Sequence, residues 1–301
     1  MEKKTETTKK SAKQVTSPPK STLKFKDSFF RTLYKDERRA KELGEATSGI
    51  IFPEDAPVQL CTLDDSVLNR YNDMGVAIAN QLIVLHEQQS TINPNMPYRL
   101  LEYLLYTYGK WFMDKKMLYG EELVKIPMPK FYVLYNGEKE LTETTLKLSS
   151  AFLMEDGGGV DLELVVHVID INYERNHEVL DKSPSLKGYS YLIAKIREFR
   201  KEGLSRDVAI AKAVRTCINE DILVDFLNEH NYEEVCDMLD FEYKLEDELE
   251  VRGAQREQKG RLEALVEVYF TEMNLTIQQI AEKLGIGEKD VKATLNELQL
   301  V

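Results

Sequence analysis

Cysteine is scarce in this chain of 301 residues, with Cys61, Cys217 and Cys236 far apart and odd in number. That pattern excludes a disulfide framework and a cysteine-based metal site, and it suits a reducing, cytoplasmic compartment. Long apolar runs are also missing: none approaches the roughly 18 residues that a membrane span requires. The first residues are rich in lysine but lack an apolar stretch behind them, which does not read as a secretory signal. No internal repeat is visible. A net positive charge is absent as well, since the formal balance is -12. On its own that argues against indiscriminate binding to nucleic acid.

What is present is a globular composition, 43% hydrophobic and 31% charged, in a chain long enough to bury a substantial core. The charge is uneven. Lys3, Lys4, Lys9, Lys10, Lys13, Lys20, Lys24 and Lys26 make the N-terminus basic, whereas EYKLEDELE over Glu242–Glu250 is strongly acidic. Residues 1–22, rich in Lys, Ser, Thr and Pro without periodicity, read as a disordered arm. Such an arm is either a solvated tail or a phosphate-contacting one.

Beyond the arm, DSFFRTLYKDERRAKELGEATSG reads as a helix with Phe30, Leu33 and Tyr34 on one side and Asp27 at its start. VQLCTLDDSVLNRY reads as a short strand and a turn. YNDMGVAIANQLIVLHEQQ has the pattern of a hairpin, NPNMPYR that of a loop, and YRLLEYLLYTYGKWFMDKK that of a helix. KFYVLYNG and LELVVHVIDINY are strands. Helix and strand thus alternate in the order expected of an α/β core, a central mixed sheet flanked by helices. From about residue 186 the pattern is helical, with Ser205 and Thr276 as caps. It ends in TIQQIAEKLGIGEKDVKATLNELQL, which resembles a helix-turn-helix. The expected organisation is an arm over 1–22, a core over 23–185, a helical extension over 186–250, and a long helix with a helix-turn-helix-like tail over 251–301.

The hairpin carries the chemistry. Glu87 and Gln89, two apart on a strand, share a face. A two-residue loop, Asn80–Gln81, pairs Asp73 with Gln88 and puts Asp73 and Glu87 on opposite faces. A three-residue loop, Ala79–Asn80–Gln81, pairs Ile78 with Leu82 and sets Asp73 directly across from Glu87, with one loop residue in the left-handed region. Opposed side chains lie about 4.5–5.5 Å apart at Cβ. Two carboxylates that close repel unless a proton or cation lies between them. A hard ion such as Mg²⁺ uses one or two carboxylates and leaves its remaining positions to water and substrate phosphate. Against this stands the plain reading that acids at strand ends are solvated. His86, on the other face, reads as a core or helix-contacting residue.

Taken together, DSFFRTLYKD, YNDMGVAI, LIVLHEQQSTINPNMPYR, RLLEYLLYTYGKW, KIPMPKFYVLYNG, LELVVHVIDINYERN and KGYSYLIAKIREF resemble the PD-(D/E)XK nuclease superfamily. More narrowly they resemble its Rpn-like group of recombination-promoting nucleases and transposases. The likeness covers about residues 23–245, and EQQSTINPNMP is its most specific piece. It implies a Mg²⁺-dependent DNA endonuclease, with Mn²⁺ as a substitute, on a restriction-endonuclease-like fold. Asp73 and Glu87 fall on the two catalytic, metal-binding acids, and Gln89 on the position usually held by lysine. Asp27 aligns with a helical acid that is either an accessory ligand or a cap. Arg99 and Tyr103 match positions able to contact substrate phosphate, although Tyr103 equally suits core packing. A DNA-binding or regulatory protein that keeps the fold with little catalysis is the alternative, and an interaction module acting through the C-terminal helices is a third. LEALVEVYF in the long helix suits pairing between protomers, hence a homodimer.

Overall fold

Ser28 and Asp36 divide the first helical segment. The computed structural model describes residues 28–65, 70–71, 73–153, 159–175, 177–230, 232–271, 273, 275–298 and 300. Where one helix is expected there are two, α1 (Phe29–Leu33) and α2 (Glu37–Ser48). Asp36 accepts a hydrogen bond from the backbone N–H of Arg39 at 3.0 Å, starting a new helix rather than continuing the old one. Ser28 caps α1, accepting from Arg31 N at 3.4 Å, and Asp27 lies outside the described residues. Phe29, Phe30, Leu33 and Tyr34 are all buried.

The strands are β1 (Val58–Leu60), β2 (Asp64–Asp65), β3 (Arg70–Tyr71), β4 (Met74–Ile78), β5 (Leu82–Gln89), β6 (Met128–Tyr135), β7 (Thr145–Lys147) and β8 (Val165–Asp170). Six form a mixed sheet in the order β1-β4-β5-β6-β8-β7, while β2 and β3 pair separately. β1, β4 and β5 are antiparallel neighbours, β5, β6 and β8 are parallel, and β7 closes the edge antiparallel to β8. The parallel step from β5 to β6 needs a crossover, and α3 (Met96–Thr107) supplies it. NPNMPYR, expected as a loop, already contains the start of α3. Pro97 sits in the first turn, where a helix has no use for its missing N–H.

The sheet is covered on both faces, which is why LIVLH in β5 is buried without alternation. One face (Val76, Ile78, Val84, Tyr132, Leu134) packs in a core that also contains Leu43 of α2 and Leu192 and Ile196 of α5 (Pro184–Lys201). The other face (Ala77, Ile83, Leu85, Val133) packs on Leu100 and Leu104 of α3. The helical region comprises α4 (Glu178–Lys182), α5, α6 (Arg206–Asn219), α7 (Val224–Glu229) and α8 (Tyr232–Thr271). It is tied to the start of the chain by two carboxylates, the half-buried Glu42 and the buried Glu242. Glu42 accepts from Ser183 Oγ at 2.6 Å and from Ser185 N at 3.0 Å, so that α2 caps α5. Glu242 of α8 accepts from Phe30 N at 2.9 Å and from the Tyr189 hydroxyl at 2.6 Å.

The chain is therefore α/β, a six-stranded mixed sheet flanked by helices, with a helical C-terminal region. The tail forms α9 (Ile277–Leu284) and α10 (Glu288–Glu297) around a small core of Val266, Ile280, Ala281, Val291 and Leu295. Thr276 makes a capping box with Gln279, and Gly285 ends α9 at φ 66°. Among the described residues no helix is long and apolar enough to cross a membrane.

Candidate active site

The parity of the hairpin decides the site. Ile78 pairs with Leu82, Val76 with Val84 and Met74 with His86, so one further step sets Asp73 across from Glu87. The loop is Ala79–Asn80–Gln81, closed by Gln81 N donating to Ile78 O at 3.0 Å. Two of its residues are left-handed, Ala79 at φ 53° and Asn80 at φ 51°. Asparagine tolerates that region, whereas alanine stands there at a cost of roughly 1–2 kcal/mol. Pro57 O holds Ala79 in place by accepting its N–H at 2.8 Å.

Asp73 is half-buried just ahead of β4, and its carboxylate accepts from Gln88 N at 2.7 Å. Glu87 is buried, only 4% exposed, near the carboxyl end of β5. Its Oε2 accepts from Arg99 Nη2 at 3.2 Å, while its Oε1 has no hydrogen-bond partner. Burial pushes the Glu87 carboxyl up to about 8, and the neighbouring charge of Asp73 pushes the same way, against Arg99, the Asp73 backbone N–H and Arg31. Burial likewise raises Asp73, opposed by the Gln88 N–H and both arginines. The pair thus holds a proton readily, or a cation in its place.

Helix α3 brings Arg99 and Tyr103, one turn apart, to Glu87. The Tyr103 oxygen accepts from Arg99 Nη2 at 3.0 Å and from Nε at 3.3 Å, and Arg99 Nη1 lies 3.3 Å from Met96 Sδ. Burial disfavours the charge on Arg99, but Glu87, Tyr103 and Asp73 outweigh it and hold its pKa above the ordinary value. Gln89 shares the face of Glu87, yet its amide is committed to the following loop. Its Oε1 accepts from Asn93 N at 3.2 Å, and its Nε2 lies 2.9 Å from Met96 Sδ.

The expected set lacks Arg31. It is buried in α1 with Nη2 donating to Leu63 O at 3.3 Å, and its charge favours ionisation of both carboxylates. The available signal was an arginine inside FFRTL, a helix buried at all five positions. His86 faces the other side, stacked on Tyr132 at 5.6 Å, with Nε2 2.9 Å from Thr47 Oγ1. Thr47 already donates to Leu43 O at 2.8 Å, so it accepts from His86. That places a proton on Nε2, and burial lowers the ring's pKa to about 3, so it is neutral.

The donor set fits a hard divalent ion. It offers two opposed carboxylates, and one carboxylate oxygen is buried without a partner. Among the described residues no three His, Cys, Asp or Glu side chains converge to hold a metal, so water and substrate would complete the coordination. A 510 Å³ cavity lined by Lys35, Arg39, Phe226 and His230 includes none of these groups. Comparison with protein-family models, curated proteins and solved structures finds no match for the chain.

Proposed function

We propose that the chain is a Mg²⁺-dependent DNA endonuclease of PD-(D/E)XK type, related to the Rpn-like recombination-promoting nucleases and transposases. The observation that carries this reading is the hairpin register, which opposes Asp73 and Glu87 and leaves Glu87 Oε1 without a partner. The antiparallel β1-β4-β5 meander followed by a parallel β5-α3-β6 step supports it.

Asp73 and Glu87 would hold the ion, with Mn²⁺ as a substitute. Bound there, the ion would lower the pKa of a coordinated water and offset charge on the scissile phosphate. Glu87 Oε1 is the acceptor that orients the attacking water. Arg99, at the mouth of the site, and the buried Tyr103 beneath it would supply donors for phosphate oxygens. Arg31 offsets the charge of the carboxylates from the α1 side. A homodimer through the C-terminal helices would let two sites cut two strands.

The test is cleavage of supercoiled plasmid with Mg²⁺, Mn²⁺ or EDTA, comparing wild type with Asp73→Ala and Glu87→Ala. Metal-dependent nicking or linearisation lost in both variants supports the reading. No cleavage by folded wild type, or equal cleavage by all three proteins, refutes it. A DNA-binding protein with little catalysis is the second reading, and Gln89 favours it. A neutral amide stands where a lysine would add charge, and it is spent on Asn93 and Met96.

A further inference from the structure

We propose that Arg99 is the resident counter-cation of Glu87, passed to a DNA phosphate when a divalent ion takes the carboxylate pair. One side chain would thereby couple ion binding to DNA binding. The inference rests on the ion site proposed above.

The geometry of the guanidinium points this way. Its one carboxylate contact among those described is Glu87 Oε2 at 3.2 Å, and its other contacts, Tyr103 Oη and Met96 Sδ, are neutral acceptors. The Arg99 side chain is 36% exposed against 5% for that of Glu87, so the arginine stands at the mouth and the carboxylate at the floor. Outward is therefore its free direction, toward the solvent side from which a phosphate must arrive. Charge gives the reason to move. Asp73, Glu87, Arg31 and Arg99 sum to zero when all four are ionised, as ion binding to the carboxylates requires, with Arg31 anchored by Leu63 O at 3.3 Å. A divalent ion beside Glu87 would leave Arg99 next to excess positive charge, and like charges at contact distance repel. Tyr103, one helical turn on, is the pivot. Its oxygen accepts two of the arginine's N–H groups and holds it over Glu87.

The full chain tests this by calorimetry with Ca²⁺ and by fluorescence anisotropy with a short duplex over a salt series, in Ca²⁺ or EDTA. Gel analysis checks that the duplex stays intact. Arg99→Met removes the competing cation and is expected to bind Ca²⁺ about threefold to tenfold more tightly than wild type. In Ca²⁺ the salt dependence of DNA binding should be steeper for wild type than for Arg99→Met by about one unit of slope, the signature of one phosphate contact. In EDTA the two slopes should coincide, because Arg99 is then held on Glu87. Tyr103→Phe keeps the charge but loses the pivot, and should tighten Ca²⁺ binding while retaining the wild-type slope. A slope difference that is the same in Ca²⁺ and EDTA overturns the proposal, as does unchanged or weaker Ca²⁺ binding in both variants. Wild type that binds no divalent ion overturns the carboxylate site itself, and this inference with it.

Discussion

Replacing Glu87 by glutamine removes the group on which the proposed chemistry depends, and it should make the protein more stable. The buried carboxyl is shifted from the ordinary glutamate value of 4.5 to about 8. Such a group favours the folded state fully below its unfolded pKa and loses that contribution as pH rises through the folded one. At pH 7 the folded state keeps this carboxyl largely protonated while the unfolded chain ionises it, which costs on the order of 3 kcal/mol at 1.36 kcal/mol per unit above 4.5. The shift already includes the attraction of Arg99, so the loss of that ion pair is not an extra debit. Glutamine keeps the shape and leaves only Asp73 charged. Urea unfolding followed by circular dichroism should therefore find Glu87→Gln and wild type equally stable near pH 4. The variant should gain steadily to about pH 8, reaching a few kcal/mol. Mg²⁺ should stabilise wild type by mass action and leave the variant unmoved. A variant less stable than wild type at pH 8, or a difference that ignores pH, would refute the claim that burial and Asp73 govern this carboxyl.

Two further outcomes follow from the same strands. Ala79→Gly relieves a left-handed alanine and should raise stability by about 0.5–1 kcal/mol in denaturant unfolding, with cleavage activity unchanged. A destabilised variant would mean that the loop is not left-handed at that residue. His86, lowered to about 3, makes the opposite contribution to that of Glu87. The unfolded chain binds a proton that the folded one refuses, so stability attributable to His86 is lost as pH falls below about 6.5, at roughly 1.4 kcal/mol per pH unit. His86→Gln should flatten the acid limb of the stability curve, and an unaltered limb would show the ring to be hydrated.

The order of helices and strands was legible because YRLLEYLLYTYGKW repeats its apolar residues at helical spacing while LELVVHVIDINY is rich in β-branched ones. The hairpin parity was not. It turns on whether the loop has two or three residues, and the deciding conformation belongs to Ala79, a residue type that carries no left-handed signal. The first helical segment misled because its apolar spacing continues through Tyr34, while Asp36 quietly offers a cap. NPNMPYR misled in the opposite sense, since proline ends a helix from within but begins one comfortably. β7, only three residues long, sits on the edge of the sheet with no pattern to announce it. Arg31 was hidden by its neighbours: surrounded by Phe29, Phe30 and Leu33, it reads as an interruption of a core stripe. Gln89 occupies the expected place on the expected face, yet what its amide does depends on Asn93 and Met96, whose positions follow from a loop that sequence patterns do not resolve.

The architecture explains why a carboxylate pair so costly to ionise can be kept. β5 is gripped on one face by α2 and on the other by α3, and it pairs with β4 and β6 along its length, so Glu87 cannot withdraw toward water without disturbing the centre of the sheet. Asp73, by contrast, lies just outside the ladder and stays half-buried, held by one backbone N–H. On the proposed reading the rigid acid sets the position of the ion and the looser one adapts to it. The same fixity lets the surrounding charge act. Arg31 is locked in α1 against Leu63 O and cannot leave, whereas Arg99 stands at the surface of α3 and can. Two acids, one fixed and one looser, with one fixed base and a mobile base at the mouth, are neutral together when all four are ionised, and on the proposed reading become positive when a cation enters. That is the condition under which a polyanion would be drawn to it, in a chain whose formal net charge of -12 otherwise disfavours one.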